Sequence, residues 1–400
     1  MNRRDFLATS ATASTLLASS AFTPAFARTR SKLRIGLIGV GMRGQVHLTE
    51  LLRREDVEVT ALCDVEPIML DRSLAMIAKA GKAKPATYGA DGDLDAYRAM
   101  LAKGGTPYML LENVCYRRDV LAALNMVRQG LFGEIVHLQG GYQHDLRGVK
   151  FNSGNPDQPY GSGVEFGPKA WSEARWRTEH SVKRDGDLYP SHGIGPCAMA
   201  IDIHRGNRFT HLSAFSSKPR GLHDYIVKKA GPDHPNAKVK FKLGDLVTTQ
   251  LLCENGETIV LQHDTSLPRP YSLGFRVQGT DGLWMDVNDS IHIEGKSQPH
   301  KWDKADDWFA KYDHPLWQRF ASAAADAGHG GMDFFVIHAF VEALKADAPM
   351  PIDIFDAIAW SAITPLSEQS IAEHKTLEFP DFTNGKWKDR KPIFALNDRY

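Results

Sequence analysis

The chain contains little cysteine for its length. Its 400 residues include four, Cys63, Cys115, Cys197 and Cys253, and each stands singly in an apolar or mixed run. There is no Cys-x-x-Cys pair and no neighbouring histidine at a spacing that suggests zinc. We therefore expect four buried thiols and no bound metal.

The chain also lacks an excess of charge. Its 48 Lys and Arg residues balance 48 Asp and Glu residues, so the formal net charge is zero. A general attraction to nucleic acid or to anionic membranes is therefore not indicated. Internal repeats and low-complexity blocks are missing as well, and the length suffices for two domains of usual size.

The first 27 residues differ in texture from the rest. The pair Arg3 and Arg4 precedes a modest apolar stretch, and Ala25-Phe26-Ala27 has the small-x-small pattern of a cleavage site. The stretch is too short and too polar for a stable membrane span, although an uncleaved anchor stays open as the alternative. We predict a twin-arginine signal peptide over residues 1–27, recognised by the twin-arginine export machinery, and a periplasmic protein that is exported folded.

A glycine pattern follows the first strongly apolar run. Leu33–Ile38 leads directly into Gly39, Gly41 and Gly44, which form Gly-x-Gly-x-x-Gly before a helix-forming segment. In a dinucleotide fingerprint the first glycine permits a tight turn, the second lets the backbone approach a pyrophosphate, and the third allows close helix packing. An ordinary glycine-rich turn is the alternative, but the order of strand, glycines and helix favours the fingerprint.

A carboxylate stands where such a fingerprint needs one. Asp64 closes a second apolar run, Val57–Cys63, twenty residues after Gly44. At that spacing a carboxylate can accept hydrogen bonds from the adenosine ribose, and it would repel a 2′-phosphate. The sequence therefore predicts a site for NAD rather than NADP.

Periodicity divides the remaining chain into two parts. The first part has predicted helices at Glu66–Ala80, Asp93–Lys103 and Arg118–Gln129, and predicted strands at Pro85–Tyr88 and Thr106–Asn113. The second part has alternating strands at Ile135–Tyr142, Leu246–Cys253, Thr258–His263, Leu273–Gln278 and Leu283–Val287, and helices at Asp333–Lys345 and Ile354–His374.

These patterns predict an α/β plus α+β protein. Only four strand candidates precede Ile135, against six in a complete dinucleotide-binding fold. We expect a truncated Rossmann-like parallel sheet in residues 31–132. Residues 133–400 are expected to form an open antiparallel-sheet domain for substrate and oligomer contacts, with C-terminal helices that the pattern does not assign to either part.

Several longer strings match a known family. They are Leu111–Arg118, Gly133–Glu134, Tyr142–Arg147, Trp176–Arg177, Asp187–Pro196 and His329–Phe335. Through them, from Leu33 to about Trp387, the chain resembles glycoside hydrolase family 109. That family is the NAD-dependent α-N-acetylgalactosaminidase branch of the glucose-fructose oxidoreductase and inositol dehydrogenase superfamily.

The resemblance implies two sets of binding residues. NAD contacts would come from Met42, Arg43, Asp64 and Asn113, beside the fingerprint glycines. The sugar, an N-acetylgalactosamine-containing glycoside, would be surrounded by Tyr142, Arg177, Tyr189, Pro190, Ser191, His192 and Tyr271. Open sheet faces in this superfamily often form subunit interfaces, so a homo-oligomer stays open.

The resemblance also implies a reaction. Hydride leaves C3 of the sugar for NAD, the C2 proton is removed, the C1 substituent is eliminated, water adds, and the hydride returns to C3. His192 is our candidate at the C3 hydroxyl because imidazole titrates near neutral pH. Tyr142 is the candidate at C2, if a cation or NAD⁺ poises its phenol. Glu112 would assist proton movement, and Arg177 and Tyr271 would hold the sugar.

Plainer interpretations of these residues stay open. Tyr142 could pack on a sheet face, Arg177 could form an ordinary cation–π pair with Trp176, and Glu112 could bind nearby backbone. We expect the string His144-Asp145-x-Arg147 to be a structural ion-pair cluster rather than a metal site, because no second group of ligands stands at suitable spacing.

The resemblance fails at one place, between Tyr97 and Tyr108. A typical member continues there with a strand, a Trp-Glu-Trp-His string, a helix and a further strand, at least about 30 residues in a unit of this kind. This chain has no Trp-x-Trp-His and no Glu-Lys-Pro. We expect either that Tyr108–Glu112 pairs beside the first strand and NAD is held poorly, or that the domain is destabilised.

Three functions therefore stand at this point. The first is an NAD-dependent glycosidase, with activity impaired by the missing segment. The second is a periplasmic NAD(P)-dependent sugar dehydrogenase, which would need a partner to regenerate its cofactor. The third is an inactive sugar-binding remnant.

Overall fold

A computed structural model describes residues 32–89 and 107–400 of the chain. The predicted signal peptide and the helix predicted at Asp93–Lys103 lie outside the described residues. Within the described ranges no helix combines the length and apolar character needed to cross a membrane. The four cysteines are buried and form no disulfide, as expected.

The N-terminal part contains a small parallel sheet. Its strands are β1 (Leu33–Ile38), β2 (Val57–Cys63) and β3 (Ala86–Tyr88), in the order β1-β2-β3. The helices α1 (Met42–Leu52) and α2 (Pro67–Lys79) follow β1 and β2. The predicted parallel Rossmann-like sheet is thus confirmed, with β1 at its edge among the described strands.

The strand predicted at Thr106–Asn113 is wrong over its described part. Residues 107–112 form no strand, and the N–H of Leu110 donates to the carbonyl of Ile352 at 3.1 Å. A short 3₁₀ turn follows at Asn113–Tyr116. The expected pairing of Tyr108–Glu112 beside β1 is therefore wrong as well. An apolar run has strand propensity, but it becomes a strand only beside a partner that satisfies its backbone.

The C-terminal part is built on a sheet of nine strands. They are β4 (Ile135–Gln143), β5 (Phe209–Ser216), β6 (Leu246–Cys253), β7 (Thr258–Asp264), β8 (Arg276–Gly279), β9 (Gly282–Met285), β10 (Ser290–Ile293), β11 (Asp303–Lys304) and β12 (Leu377–Glu378). Their spatial order is β11-β10-β9-β8-β4-β7-β6-β5-β12. The predicted strand at Leu273–Gln278 begins later, at Arg276.

The prediction of a wholly antiparallel sheet is wrong at one pair. β4 runs parallel to β7, with Leu138 opposite Ile259 and Tyr142 opposite His263. After β4 the chain forms β5 and β6 further out in the sheet. The β6–β7 hairpin then brings β7 back next to β4, and β7 runs in the same direction as β4. Alternation of side chains reports that one face is covered, but it does not report strand direction.

Some of the helices pack against this sheet and others join it to the N-terminal part. They are α3 (Arg118–Arg128), α4 (Arg147–Lys150), α5 (Arg177–Lys183), α6 (Ser191–Ala200), α7 (Gly221–Ala230), α8 (Ala305–Lys311), α9 (Pro315–Ala324), α10 (Met332–Lys345) and α11 (Ile354–Glu373). α10 contacts α1 and the 3₁₀ turn, whereas α11 lies against β5. The C-terminal helices therefore divide between the two parts.

The approach of α6 to β4 is unusually close. A Cβ added to Gly193 of α6 would lie 2.5 Å from the backbone nitrogen of Gly141, and one added to Gly140 would lie 2.6 Å from the carbonyl of Gly193. Only glycines allow two backbones to meet in this way. The contact fixes the start of α6 over the end of β4.

The space for an added Cβ differs between two glycines of the fingerprint, Gly41 and Gly44. A Cβ on Gly44 would lie 1.9 Å from the carbonyl of Gly39, whereas a Cβ on Gly41 meets nothing within 4 Å. We expect Gly44→Ala to lower the free energy of unfolding by about 1–3 kcal/mol, the range for overpacking, in urea denaturation followed by circular dichroism.

Gly41→Ala in the same loop is the matched control, expected to stay within about 0.5 kcal/mol of the wild type. Equal stability of the two variants would show that α1 does not approach the turn as described.

Candidate active site

A histidine and a carboxylate meet where the two parts of the chain adjoin. Nδ1 of His192, on the first turn of α6, lies 2.8 Å from Oε1 of Glu112, although its ring N–H does not point straight at that oxygen. The Glu112 side chain is 4% exposed and the imidazole 15%. The carboxylate thus backs the imidazole from the protein side. Nε2 of His192 is the ring nitrogen left for a bound molecule.

Several groups keep Glu112 ionised. Burial opposes the charged form, but the charge of His192, the Ser191 hydroxyl and the backbone N–H of Val114 together hold the pKa of Glu112 below its usual range. The Val114 N–H donates to Oε1 at 3.1 Å. Glu112 therefore both caps the 3₁₀ turn and faces His192. The plain interpretation is confirmed, and the role in proton movement stays a prediction.

A second glycine of α6 lets this carboxylate approach. A Cβ added to Gly195 would lie 2.8 Å from Sγ of Cys115 and 3.3 Å from Cγ of Glu112. The 3₁₀ turn therefore rests directly on α6, one turn beyond His192.

Two aromatic rings lie against His192. The ring centroid of Tyr142 lies 4.5 Å from that of Tyr189 and 5.2 Å from that of His192, and the rings of Tyr189 and His192 are 4.9 Å apart. Tyr142 ends β4 and Tyr189 precedes α6, so the glycine contact between these elements brings them together. The histidine presents an edge to both rings.

The hydroxyl of Tyr142 has a specific neighbour. Its oxygen lies 3.2 Å from Nδ1 of His144, which accepts its proton when the imidazole carries hydrogen on Nε2. Burial raises the pKa of Tyr142 to about 12, and the nearby Arg177 opposes that rise only in part. Burial also lowers the pKa of His144, so this imidazole is neutral at neutral pH. The charge of Arg177 is therefore not enough to lower the pKa of the Tyr142 phenol below its usual value. The neutral imidazole of His144 is the base next to its hydroxyl.

Arg177 lies beside the same cluster. Its guanidinium carbon is 4.8 Å from the ring centroid of Trp176 and 5.7 Å from that of Tyr189, and its Nε donates to Glu173 at 2.7 Å. The predicted cation–π contact is present. Nη2 of Arg177 also lies 2.6 Å from Oε2 of Glu173, so Nη1 is the nitrogen left for a bound molecule.

Tyr271 forms the outer rim. Its ring centroid is 4.9 Å from that of His144, and the side chain is 51% exposed. A cavity of about 550 Å³ opens next to it, and Arg117 and Asp286 are among its lining residues. The cluster is therefore open to solvent on this side.

The fingerprint forms a separate part of the site. Gly39 has a φ of +80°, and α1 begins at Met42 without a side-chain cap. The first N–H groups of a helix have no partner within the helix, and a neighbouring anion can accept from them. The open space at the Gly41 Cβ position leaves this loop accessible.

Asp64 holds the fingerprint turn in place. Its Oδ2 accepts from the N–H of Val40 at 2.7 Å and its Oδ1 from the N–H of Glu66 at 2.9 Å. A carboxylate oxygen has two acceptor positions, so each oxygen keeps one for a further hydroxyl.

The side chain of Arg43 is engaged elsewhere. Its guanidinium forms a two-pronged pair with Asp333 of α10, with Nη1 2.9 Å from Oδ2, and His329 lies 2.8 Å from the same oxygen. Burial opposes ionisation, but His329 and Arg43 hold the pKa of Asp333 well below its usual range. The guanidinium of Arg43 is thus held at the start of α10.

The other sequence-predicted cluster is structural, as expected. Arg147 donates from Nε and Nη2 to the two oxygens of Asp145 at 2.8 and 2.7 Å. No group of three or more His, Cys, Asp or Glu side chains in the described ranges is arranged to hold a metal ion.

Comparison with known proteins identifies the family. The sequence profile of the glycosyl hydrolase 109 C-terminal domain matches residues 116–389. A glycosyl hydrolase family 109 protein of Stenotrophomonas maltophilia (strain K279a) is 63% identical, over 100% of this chain and 99% of that protein. The chain belongs to glycosyl hydrolase family 109. It is thus an enzyme of the glycoside hydrolase class.

Another member of the family has a more specific name. An α-N-acetylgalactosaminidase of Tannerella forsythia is 45% identical over 418 aligned positions, covering 91% of this chain and 89% of that protein. The resemblance drawn from the sequence strings is therefore confirmed at the level of the family.

Solved structures agree on the fold. An NAD-binding oxidoreductase from Klebsiella pneumoniae has a TM-score of 0.60 at 16% identity, covering 88% of this chain and 99% of that one. Levoglucosan dehydrogenase in complex with NADH and L-sorbose has a TM-score of 0.54 at 14% identity, covering 88% and 100%. The family 109 chain shares their two-part architecture.

The alignment with the S. maltophilia protein also shows that this chain lacks an internal segment that its relative has. The comparison with the S. maltophilia protein runs over 455 positions and uses the whole of this chain, which has 400 residues. At least 55 positions of the alignment therefore have no counterpart in this family 109 chain. The sequence strings place the loss between Tyr97 and Tyr108.

The structure brings most of the predicted site residues together. The cluster contains Glu112, Tyr142, Arg177, Tyr189, Pro190, Ser191, His192 and Tyr271. The fingerprint residues and Asp64 form the second group, and Asn113 is buried next to Glu112 at the start of the 3₁₀ turn. The catalytic and binding roles of these residues stay predictions.

Three residues of the site were missed. His144 was assigned to the Asp145–Arg147 cluster, although the alternation of β4, which ends at Gln143, puts His144 and Tyr142 on one face when it is continued by one residue. Glu173 stands outside the family strings, and Asp333 lies within His329–Phe335 but was given no role; only the fold shows that they hold Arg177 and Arg43.

The environment of Glu112 predicts a pH-dependent contribution to stability. A folded-state pKa below the ordinary value of 4.5 stabilises the fold above that pH, and the effect is lost as pH falls through the folded pKa. We expect the stability difference between the wild type and Glu112→Gln to shrink from pH 6 to pH 3.5, measured by urea unfolding. A difference that stays constant or grows on acidification contradicts this account.

Proposed function

We propose that the protein is an NAD-dependent α-N-acetylgalactosaminidase that cleaves its substrate by transient oxidation at C3 of the sugar. The observation that carries the proposal is the grouping of two proton-transfer pairs, His192 with Glu112 and Tyr142 with His144, around one open cluster. Two separate proton transfers, at the C3 hydroxyl and at C2, need two such groups.

The residues present fit NAD on the side of its adenosine and pyrophosphate. The turn at Gly39, the open position at Gly41 and the uncapped start of α1 form a cradle for an anion. The free acceptor positions of Asp64 suit ribose hydroxyls and oppose a 2′-phosphate, which supports NAD over NADP. When bound, NAD supplies an acceptor for hydride from C3 and the donor that returns it.

His192 moves the proton of the C3 hydroxyl. Its Nε2 takes that proton while the C3 hydrogen leaves as hydride, and gives it back when C3 is reduced again. Glu112 stays ionised behind the ring and stabilises the imidazolium that forms. Glu112 is buried behind His192, so it affects the sugar only by orienting His192 and stabilising its charged form.

Tyr142 and His144 handle the proton at C2. A ketone at C3 acidifies the C2–H bond, and loss of that proton allows the bond from C1 to the leaving oxygen to break. Burial holds Tyr142 as a neutral phenol, so its hydroxyl passes a proton to His144 as it accepts one from C2. Water then adds its hydroxyl at C1 while its proton goes to the departed oxygen, and the same pair returns a proton to C2.

Arg177 and Tyr271 hold the sugar. Glu173 holds Nε and Nη2 of Arg177, and the N–H groups of Nη1 suit ring oxygens or an acetamido carbonyl. Tyr271 offers a hydroxyl and an exposed ring face at the rim. Ordinary glycosidases place two carboxylates across the scissile bond. Here Glu112 is enclosed behind His192, which favours the route through C3.

One assay tests the function. With p-nitrophenyl α-N-acetylgalactosaminide and NAD, we expect nitrophenol to be released without net formation of NADH. His192→Ala should lower turnover at least about 100-fold, the usual contribution of a positioned acid-base group, and leave NAD affinity nearly unchanged in a fluorescence titration. His211→Ala is the matched control, since His211 lies exposed on β5.

The other outcomes are informative. Accumulation of NADH would show a sugar dehydrogenase, and sugar binding without turnover would show an inactive remnant. Full turnover by His192→Ala would remove this residue from the mechanism.

We also propose that the enzyme acts in the periplasm after twin-arginine export. The proposal rests on Arg3, Arg4 and the Ala25-Phe26-Ala27 string. Replacement of both arginines by lysine should leave the precursor in the cytoplasm, as seen by immunoblots of fractionated cells. Unchanged export of the double variant would contradict the assignment.

A further inference from the structure

The cavity beside Tyr271 begins where the proposed sugar cluster ends. Its volume is about 550 Å³, and all the residues that line it lie within the described ranges. Tyr271 belongs to both places, because its ring centroid lies 4.9 Å from that of His144 and its side chain lines the cavity. The N–H of the neighbouring Ser272 donates to the carbonyl of Gln143 at 3.0 Å. The cavity is therefore fixed to the end of β4, the strand that carries Tyr142.

The proposed reaction places the leaving group on this side of the cluster. Tyr142 and His144 handle the proton at C2, and the bond that breaks joins the adjacent carbon, C1, to the leaving oxygen. Tyr271 packs against His144, so the surface next to a substituent on C1 is the wall of the cavity. Ligand sites have volumes of about 300–1,000 Å³, and this cavity lies in that range.

A carboxylate in the cavity wall has spare capacity for hydrogen bonds. Asp286 follows β9, and its side chain is 9% exposed. Nη2 of Arg117 donates to its Oδ2 at 3.4 Å, and Oδ1 has no hydrogen-bond partner among the residues that the structure describes. Buried polar atoms are rarely left without a partner. A carboxylate offers about four acceptor positions, so Asp286 has room for hydroxyl donors from a ligand.

Arg117 places a donor beside this acceptor. Its Nε and Nη2 donate to the two oxygens of Asp119, each at 2.6 Å, so Nη1 lies outside that pair. The guanidinium carbon is 5.2 Å from the ring centroid of Phe275, and this contact holds the fork in place. A hydroxyl both donates and accepts, so hydroxyls on adjacent carbons can bind Asp286 and Arg117 together. This pairing suits a saccharide.

The remaining wall favours a neutral ring over an anionic one. The carboxylates that line the cavity outnumber the guanidiniums, and Arg269 is already paired with Asp264 at 2.7 Å. An acidic group would therefore meet net negative charge. Val287 and Tyr271 are 69% and 51% exposed and give the wall an apolar part, on which the C–H face of a sugar can pack.

We propose that the cavity beside Tyr271 is the leaving-group subsite, which binds a neutral sugar unit attached to C1 of the N-acetylgalactosamine. Asp286 and Arg117 bind hydroxyls of that second sugar and take no part in proton transfer. The inference rests on the proposed glycosidase function and names its substrate class, a saccharide in which another sugar is the leaving group. Binding energy from a part of the substrate remote from the reacting carbon can then favour the transition state.

Kinetics with two kinds of leaving group test the subsite. Methyl α-N-acetylgalactosaminide has a leaving group too small to reach Asp286. It is compared, in the presence of NAD, with disaccharides in which N-acetylgalactosamine is α-linked to O3, O4 or O6 of galactose or glucose. We expect kcat/KM for at least one disaccharide to exceed that for the methyl glycoside at least about tenfold, the effect of a hydrogen bond to a charged group.

A variant locates the effect. Asp286→Ala should lower the ratio of kcat/KM for that disaccharide to kcat/KM for the methyl glycoside at least about tenfold. Asp307→Ala is the matched control, because Asp307 lies exposed on α8 and does not line the cavity. A preference for the disaccharide that survives in Asp286→Ala would place the second sugar elsewhere and overturn the proposal.

Binding measurements separate the subsite from the proposed function. The His192→Ala variant, expected to turn over slowly, is titrated by calorimetry with the intact methyl glycoside and the intact disaccharide. We expect the disaccharide to bind at least about tenfold more tightly, and the gain to be lost in the double variant with Asp286→Ala. If Asp286→Ala does not fold, the comparison of the two ligands decides alone.

The contrary results have distinct meanings. Equal kcat/KM and equal affinity for the methyl glycoside and every disaccharide would overturn the subsite and leave the proposed function standing. Failure to cleave any α-N-acetylgalactosaminide would contradict the proposed function, and the binding comparison would then decide the subsite. A larger gain with a peptide that carries N-acetylgalactosaminyl serine, or with an acidic second sugar, would show a different occupant and overturn the proposal.

Discussion

The backbone contact between α6 and β4 is the constraint on which the candidate site depends. Gly193 meets Gly140 and Gly141 so closely that no side chain fits between them. The residues next to these glycines, His192 on the helix and Tyr142 on the strand, are therefore forced side by side. Gly195, two residues further along α6, leaves room for the 3₁₀ turn that Glu112 caps. Two glycines of one helix thus assemble the cluster from three separate stretches of chain.

Two buried carboxylates then tie the site to the rest of the fold. Glu112 joins the segment after the N-terminal sheet to α6, and Asp333 joins α10 to the fingerprint helix through Arg43. Taking such charges out of water is costly, and the cost is recovered only when each has a partner. Losing one partner therefore costs more than an exposed pair would. One pair lies in the predicted sugar cluster and the other beside the fingerprint loop.

The sequence predicted the elements whose signals are local. Alternation located β4, β6 and β7, and helical periodicity located α3, α10 and α11 to within a few residues. The fingerprint turn was recognisable because each glycine has its own steric reason, seen again in the open space at Gly41 and the crowding at Gly44.

The sequence could not predict features that depend on contacts between residues distant along the chain. The run before Asn113 has every mark of a strand, yet no described strand pairs with it, and Leu110 donates to Ile352 instead. The parallel direction of β4 and β7 is invisible to alternation. His144 looked like part of an ion-pair string, and only the fold shows its ring against Tyr142 and Tyr271. Asp333 could not be linked to Arg43 across 290 residues.

The central claim is that the cluster removes and returns the proton at C2 of the sugar. It is tested most directly by running the hydrolysis in D₂O and examining the released N-acetylgalactosamine by NMR. The account predicts deuterium at C2, because the proton taken by Tyr142 and His144 exchanges with solvent before a proton is returned. Product that carries only hydrogen at C2, released at the same rate, would contradict the account and indicate direct displacement at C1.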